Sequence, residues 1–383
     1  MENTMQELTR TGLYCAMFIA AGAVSGLLGP SLIYLSDLID ASVAEISIVF
    51  SARAIGNILG ALLAGRMFDR WQGHHYLIVM LLCVIVGLFL VPFSTSLTML
   101  VALFFLLGAA EVSVNAGGNM MMLWLHKDKV GSYVTILHLC YSSGCMLAPL
   151  ILIFAEWTGH GYGAGYWMVA LYALILPLFL WKQPSPRFEA RSTETVPETK
   201  QKTTFLAFLL VIFLYVGFEI TIAGWISTYA ILSGINHNAA AILVTWFFVS
   251  LSIGRLLSVF LLRWITPRQG IYGLLAISVT GSLLMVVSDA SLVLAALWLG
   301  LGCSAFFPML FSYANSIMAL DGKRTGYVFV CCGLGALVAP SLTGPIIEAL
   351  SANAFPYLLL MLAMCMAFSW YRLDTMTRAR VDS

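Results

Sequence analysis

The amino-acid sequence predicts an all-α membrane protein of twelve transmembrane helices, arranged as two pseudo-symmetric six-helix bundles. Three observations predict this fold class: an apolar composition, twelve apolar runs of spanning length, and a one-sided distribution of Lys and Arg. Of the 383 residues, 61% are hydrophobic and only 10% are charged, whereas a soluble domain carries about 25% charged residues. A soluble fold this apolar would expose large apolar patches to water, and a bilayer removes that problem because its core is itself apolar.

The apolar runs set the number of spans, since a helix crosses the hydrocarbon core in about 20 residues. The sequence contains twelve such runs, at 11–35, 46–68, 75–93, 97–125, 131–155, 164–181, 204–230, 239–262, 269–288, 291–319, 325–347 and 354–371. We number the predicted spans 1 to 12 in this order.

The basic residues predict the orientation. If both termini are cytoplasmic, every Lys and Arg except Arg53 and Arg255 falls in a cytoplasmic segment, and the opposite loops contain none. Positive residues accumulate in this way on the cytoplasmic side of membrane proteins. We therefore expect a multi-pass protein of the plasma membrane (the inner membrane in a bacterium) with cytoplasmic N and C termini.

A polar stretch at 182–203 interrupts the apolar pattern and is typical of a solvated cytoplasmic linker. It separates an N-terminal six-helix bundle at 1–181 from a C-terminal six-helix bundle at 204–383. The halves repeat weakly, since GCMLAP at 144–149 resembles GALVAP at 335–340, and Ile55-Gly56 resembles Ile253-Gly254.

Four charged residues fall inside predicted spans, where a charge costs at least about 2.5–3.5 kcal/mol: Arg53, Glu111, Glu219 and Arg255. Such residues indicate a polar cavity. Glu111 and Glu219 are candidate sites for a coupling ion, because a carboxyl group in a half-dry site can exchange a proton near neutral pH. Arg53 and Arg255 are their candidate partners, with a structural or gating role, and the sequence leaves the pairing open. Purely structural ion pairs are the alternative.

Spans 4 and 5 carry further polar groups. Glu111, Asn115 and Asn119 are spaced by four residues and share one face of span 4. Because lipid offers amides no hydrogen bonds, we expect this face to look into a hydrated cavity; a polar clamp between helices is the alternative. His138 and Tyr141 share a face of span 5 and are candidate substrate contacts, although a single His often only packs.

Aromatic candidates come from spans 7 and 10. Phe307, Phe311 and Asn315 share a face of span 10 and could stack on and hydrogen-bond a bound solute, but aromatic stripes are more often core. Trp225 in span 7 is a weaker candidate for substrate binding, because Trp commonly marks the membrane interface.

The loop after span 2 reads GRMFDRWQGHH. Its residues Gly65, Asp69, Arg70 and Gly73 resemble the loop motif G-x-x-x-D-R-x-G-R-R of the major facilitator superfamily, although Gly73 comes one residue late and two histidines replace the terminal basic residues. The resemblance implies a cytoplasmic charge-relay latch, with Gly65, Asp69 and Arg70 in a structural or gating role. An ordinary short basic loop is the alternative.

Longer segments resemble one branch of this superfamily: LGPSL, FSARAIGNILGALLAGRMFD, GLFLVPF, NAGGNMMMLWLHKDK, ILHLCYSSGCMLAP, FLYVGFEITIAGWISTYA and AFFPMLFSYA. They are similar, in this order, to the fucose-permease-like sugar transporters, and more so to the sodium-dependent glucose transporters of animal kidney. The resemblance implies a hexose or related sugar as substrate, coupling to H+ or Na+, and alternating access by rocking of the two halves about a midplane site. One departure is that the acidic residue of the family's span 4 falls on Asn115, while Glu111 lies one turn earlier.

We therefore expect a secondary active transporter of a small polar solute, most of all a hexose, coupled to H+ or Na+ and without another cofactor. A drug or metabolite exporter of the same fold is the alternative, and a non-transporting membrane sensor comes third. The sequence contains no nucleophile–base pair that would predict an enzyme. The eight Cys residues lack metal-ligand spacing, so no metal site is expected. The expected partners are the solute and the lipid bilayer, with no nucleic acid because the net charge is only +1; we expect a monomer.

Overall fold

The computed structural model describes residues 2–68, 73–126, 130–186, 202–287, 292–317 and 322–381. Regular structure within these ranges is entirely helical. The α-helices are Glu2–Leu38, Val43–Ile46, Ile48–Phe68, Gly73–Leu90, Leu97–His126, Val130–Trp157, Gly161–Leu180, Lys202–Leu232, His237–Leu261, Pro267–Val287, Leu292–Cys303, Phe306–Ile317, Gly322–Ala349 and Ala354–Val381.

In the described part of the chain, twelve spans are long and apolar enough to cross a membrane. Most are single helices. Span 2 is Ile48–Phe68, preceded by the one-turn helix Val43–Ile46, and span 3 continues into the 3-10 helix Val91–Phe93. Span 10 consists of two helices, Leu292–Cys303 and Phe306–Ile317, although the sequence predicts one run there. The predicted fold class is confirmed.

The chain divides into two compact units, Met1–Arg191 and Ser192–Ser383. Spans 1 to 6 belong to the first unit and spans 7 to 12 to the second. The boundary falls inside the stretch predicted as a linker, of which residues 187–201 lie outside the described residues. The extent of the linker therefore stays a prediction.

Side chains on the outside of the spans suit a bilayer. Leu171, Leu178 and Phe368 are large, apolar and exposed in mid-helix, where water would be an unfavourable solvent for them. Trp157 and Trp264 are exposed at the ends of spans 5 and 8, where an indole ring can sit at the headgroup level. The surface of each unit therefore agrees with membrane insertion.

Glycines bring spans 1 and 5 into backbone contact. A Cβ atom at Gly22 would overlap the carbonyl oxygen of Tyr141, and one at Gly144 would overlap the carbonyl oxygen of Ile19. Small residues permit this close approach in membranes, where van der Waals packing rather than the hydrophobic effect holds helices together. The contact matters for the site because Tyr141 is one of its residues.

The second unit repeats this packing between spans 7 and 11. A Cβ atom at Gly335 would overlap the carbonyl oxygen of Phe213, as one at Gly144 would overlap that of Ile19. Gly144 and Gly335 are the first residues of GCMLAP and GALVAP. The structure thus supports the register of this sequence repeat.

The other proposed repeat is one helical turn out of register. Gly108 packs on a carbonyl of span 2, and Gly300 packs on a carbonyl of span 8. Gly60 packs against Ala109, the residue after Gly108. Gly254 packs against Leu301, the residue after Gly300. Gly254 therefore corresponds to Gly60 and not to Gly56, which packs instead on the carbonyl oxygen of Phe105, three residues before Gly108.

A buried carboxylate ties together the ends of spans 9 and 12. Asp374 is 2% exposed and accepts hydrogen bonds from Arg268, at 2.5 Å from Nε and 2.9 Å from an Nη atom, and from the hydroxyl of Tyr272 at 2.8 Å. Arg378, one turn further along span 12, lies 3.4 Å from the same carboxylate. This cluster is a well-satisfied structural ion pair within the second unit.

We expect Gly144→Ala to lower the melting temperature of the purified protein sharply, because the added Cβ meets backbone atoms of span 1 that cannot move independently. Gly273→Ala is the matched control, since nothing lies within 4 Å of a Cβ at that helical position. It should be neutral or slightly stabilising, because Ala favours helix over Gly. Thermal unfolding in detergent compares the two variants, and equal melting temperatures would contradict the close contact of spans 1 and 5.

Candidate functional site

The first unit holds a buried ion pair between spans 2 and 4. An Nη atom of Arg53 lies 2.6 Å from Oε2 of Glu111, and the two side chains are 11% and 4% exposed. Arg53 also donates to the hydroxyl of Ser25 at 2.7 Å, and Tyr141 donates its hydroxyl to Oε1 of Glu111 at 3.1 Å. Both carboxylate oxygens are thus hydrogen-bonded, and the network joins spans 1, 2, 4 and 5.

Local sequence explains how this network is positioned. Spans 2 and 4 touch through their backbones, because a Cβ at Gly108 would overlap the carbonyl oxygen of Arg53 itself. Glu111 follows Gly108 by three residues and therefore projects from nearly the same face. Gly22 places Tyr141 against span 1. Four helices meet at the ion pair because their small residues lie at the same depth.

The predicted polar face of span 4 is only partly shared. Glu111 is buried in the ion pair, whereas Asn115 and Asn119 are half-buried. The amide of Asn119 donates to the carbonyl oxygen of Asn115 at 3.0 Å, within the same helix. The two amides therefore lie at a partly accessible surface beside the ion pair.

In span 5, His138 is exposed and Tyr141 is half-buried against Glu111. The imidazole of His138 contacts the ring of Phe18 edge-on, with centroids 6.2 Å apart. Asn115 and Asn119 follow Glu111 by one and two turns of span 4, and His138 precedes Tyr141 by nearly one turn of span 5. Their roles in substrate binding stay predictions.

The second unit holds a looser ion pair between spans 7 and 8. An Nη atom of Arg255 lies 3.9 Å from Oε1 of Glu219, and the side chains are 27% and 18% exposed. Nε of Arg255 donates to the carbonyl oxygen of Ser304 at 3.0 Å, and Tyr215 donates its hydroxyl to the carbonyl oxygen of Cys303 at 3.0 Å. Both carbonyls lie where span 10 is interrupted. The four predicted charges therefore pair within each unit, Arg53 with Glu111 and Arg255 with Glu219.

The two ion pairs are not copies of each other in the internal repeat. When the two units are aligned on the glycine contacts of Gly144 and Gly335, Glu219 corresponds to Ser25. When they are aligned on Gly60 and Gly254, Arg53 corresponds to Phe247. The arginines therefore occupy different positions of the related spans 2 and 8, and the glutamates come from spans 4 and 7, which do not correspond. The N–O distances of 2.6 Å and 3.9 Å therefore belong to two separate sites and not to two copies of one site.

Aromatic candidates separate into partly accessible and sealed groups. Phe307 and Phe311 stack with centroids 6.0 Å apart, and both are half-buried. Trp225 is 0% exposed, and its indole donates to the carbonyl oxygen of Pro340 at 2.9 Å. Trp225 thus packs inside the second unit, and its part in substrate binding stays a prediction. The side chain of Asn315 lies outside the described residues.

The loop motif is only partly visible. Gly65 lies near the end of the helix Ile48–Phe68, while Asp69 and Arg70 lie outside the described residues. Gly73 begins span 3. The latch therefore stays a prediction. Within the described ranges, no three His, Cys, Asp or Glu side chains converge as metal ligands.

Sequence reasoning missed several polar groups at these sites. Ser25 and Tyr215 appear in the sequence as ordinary members of apolar runs, yet each lies beside an ion pair. Asn57 lies one turn after Arg53, and its buried amide oxygen has no hydrogen-bond partner among the described residues. The signal that could have found the interruption of span 10 is Pro308, which has no N–H for the carbonyl oxygen of Ser304.

Comparisons with known proteins identify relatives. Residues 13–340 match the family model of the Major Facilitator Superfamily. Sodium-dependent glucose transporter 1 of Xenopus laevis is 27% identical over 359 residues, which cover 83% of this chain and 72% of that protein. The Homo sapiens protein of the same name is 25% identical over 377 residues, covering 87% of this chain and 72% of that protein.

Among solved structures, the nucleoside transporter NupG aligns with a TM-score of 0.76 at 14% identity, covering 97% of this chain and 99% of that one. At this identity the likeness shows the fold alone. The relatives and the family are transporters, so the chain is a multi-pass membrane transporter and not an enzyme. Since the family model spans most of the sequence, the chain belongs to the Major Facilitator Superfamily.

Proposed function

We propose that this protein is a secondary active transporter of a hexose or related sugar, working by alternating access with coupling to H+ or Na+. It acts as a monomer in the plasma membrane, or the inner membrane of a bacterium, with both termini in the cytoplasm. Relatives named sodium-dependent glucose transporter support the substrate class and favour Na+. The distribution of Lys and Arg supports the orientation.

The observation that carries the proposal is the set of accessible polar groups within spans 4 and 5. Asn115 and Asn119 are half-buried and His138 is exposed, inside helices that cross the bilayer. Hydrocarbon offers an amide or an imidazole no hydrogen bonds, so the accessibility of these groups supports a surface that meets water or a polar solute. An amide both donates and accepts, and it therefore suits a sugar hydroxyl, which also does both.

Aromatic surface complements these polar groups. A pyranose ring carries apolar C–H faces between its hydroxyl groups, and aromatic rings bind such faces by stacking. Phe307 and Phe311 present half-buried, stacked rings in the second unit. We retain them, with Tyr141, as proposed sugar contacts. A drug exporter would require a more apolar surface than spans 4 and 5 offer.

The two predicted coupling carboxyls differ in how firmly they are held. Glu111 faces Arg53 at 2.6 Å and also accepts from Tyr141, so its charge is fully compensated. We therefore assign Glu111 a positioning role, in which it orders spans 4 and 5 for substrate. Glu219, with a partner 3.9 Å away and greater exposure, remains the stronger candidate for coupling.

Uptake of radiolabelled glucose into proteoliposomes tests the function, with thermal stabilisation by a panel of hexoses, nucleosides and lipophilic cations as a second readout. A transported sugar should compete with glucose uptake and raise the melting temperature, since a ligand stabilises the state that binds it. Stabilisation by lipophilic cations without any by sugars would replace the sugar proposal with the exporter alternative.

We expect Asn115→Ala to raise the KM for sugar roughly 5- to 30-fold, the equivalent of about 1–2 kcal/mol for one lost hydrogen bond. Ser143→Ala is the matched control, because the hydroxyl of Ser143 donates to the carbonyl oxygen of Leu139 within its own helix. Initial uptake rates over a range of sugar concentrations give both KM values. An unchanged KM in the Asn115 variant would remove that amide from the proposed site.

We expect Arg53→Met to lower the melting temperature strongly, because it leaves Glu111 charged and buried at 4% exposure. The double variant Arg53→Met with Glu111→Met should recover much of that loss, since neither charge is then left alone. Thermal unfolding of the wild type, both single variants and the double variant forms a complete cycle. Additive losses would show that the two side chains are not coupled.

A further inference from the structure

The interruption of span 10 creates an unusual group of oxygen atoms in the second unit. The helix Leu292–Cys303 ends at Cys303, and the next helix starts at Phe306. Pro308 has no N–H, so the carbonyl oxygen of Ser304 lacks the partner that a continuous helix would supply four residues later. The last carbonyls of a helix also carry partial negative charge. This end of the helix therefore attracts a cation.

The carboxylate of Glu219 adds a full negative charge at the same place. Arg255 links the two, because its Nε donates to the carbonyl oxygen of Ser304 at 3.0 Å while an Nη atom lies 3.9 Å from Glu219. Gly254 permits this approach, since a Cβ there would meet the side chains of Ser304 and Leu301. The carbonyl oxygen of Ser304 and the carboxylate of Glu219 thus share one guanidinium group.

Tyr215 completes the arrangement. Its hydroxyl donates to the carbonyl oxygen of Cys303 at 3.0 Å, and Tyr215 precedes Glu219 by one turn of span 7. While the proton is given to the carbonyl, Tyr215 donates nothing to the carboxylate. The ring of Tyr215 stacks on Phe306 with centroids 4.9 Å apart, which fixes its position. The phenol therefore holds the carbonyl of Cys303 beside the turn of span 7 that carries Glu219.

We propose that Glu219 and the carbonyl oxygens of Cys303 and Ser304 form a binding site for a monovalent metal cation, and that Arg255 supplies the positive charge when the cation is absent. Carbonyl and carboxylate oxygens are the ligands that hard cations such as Na+ prefer, and broken helices present such carbonyls in many transporters. Entry of Na+ displaces the guanidinium from Glu219. The weak contact of 3.9 Å makes this exchange less costly than it would be at the 2.6 Å pair of Arg53 and Glu111.

This inference deepens the proposed function, on which it rests only in taking the bound cation as the coupling ion. Equilibrium binding of radioactive Na+ to the purified full-length protein, at constant ionic strength with choline as the replacement cation, tests the site without any measurement of uptake. We expect saturable binding of Na+ to the wild type. Absence of saturable Na+ binding, with glucose uptake intact, would overturn the cation site and leave the transport function standing.

Three variants locate the site. Glu219→Gln should weaken Na+ binding at least tenfold, because it removes the only full negative charge among the proposed ligands. Pro308→Ala should also weaken it, because the restored N–H can bond the carbonyl oxygen of Ser304. Arg255→Gln should tighten it, because the competing charge is gone. If Glu219→Gln does not fold, Glu219→Asp replaces it, with weakened binding expected because its carboxylate is one methylene shorter.

Asp374→Asn is the matched control, since Asp374 is another ion-paired acid of the same unit. It should bind Na+ as the wild type does. Wild-type Na+ affinity in the Glu219 variant would overturn the proposal. It would also be overturned if Glu111→Gln lost Na+ binding while Glu219→Gln kept it, because the cation would then bind in the first unit.

Discussion

A charge inside a bilayer has no water to solvate it, and this constraint organises both units of the protein. Arg53 and Glu111 meet it by pairing at 2.6 Å, with Ser25 and Tyr141 taking up further hydrogen bonds. Because an unpaired buried charge costs several kcal/mol, the pair holds four helices at one depth. The half-buried amides beside it owe their positions to this network. The arrangement of the proposed substrate surface thus follows from the need to neutralise one arginine.

Close backbone packing makes such pairing geometrically feasible. Arg53 reaches Glu111 because Gly108 lets span 4 lie directly on the backbone of span 2, and Arg255 reaches Ser304 because Gly254 leaves room for the side chains of Ser304 and Leu301. Lipid-facing surfaces contribute little specificity, since one exposed Leu is much like another to hydrocarbon. The glycines and the polar residues therefore carry most of the information about how each unit is assembled.

The two units use related packing for different chemistry. In the first unit an arginine and a glutamate form a compact pair in which both carboxylate oxygens are hydrogen-bonded, and span 4 is continuous. In the second, span 10 is interrupted, and its carbonyls share Arg255 with a more exposed Glu219. A rigid, compensated network suits the positioning of a substrate. A loose pair beside carbonyls at the end of a helix suits the exchange of one cation for another, and a transporter that couples two solutes needs both properties.

Hydropathy and the placement of charge are local properties of the chain, and they were enough to predict twelve spans, two halves and the four intramembrane charges. The GCMLAP and GALVAP repeat was also readable, because both segments keep the glycine that packs on a neighbouring carbonyl. Tertiary structure alone decided which arginine meets which glutamate, that Gly254 corresponds to Gly60, and that Trp225 is sealed against Pro340. Those outcomes depend on how helices far apart in sequence rotate and approach one another, and no periodicity within a single helix records its neighbour's rotation.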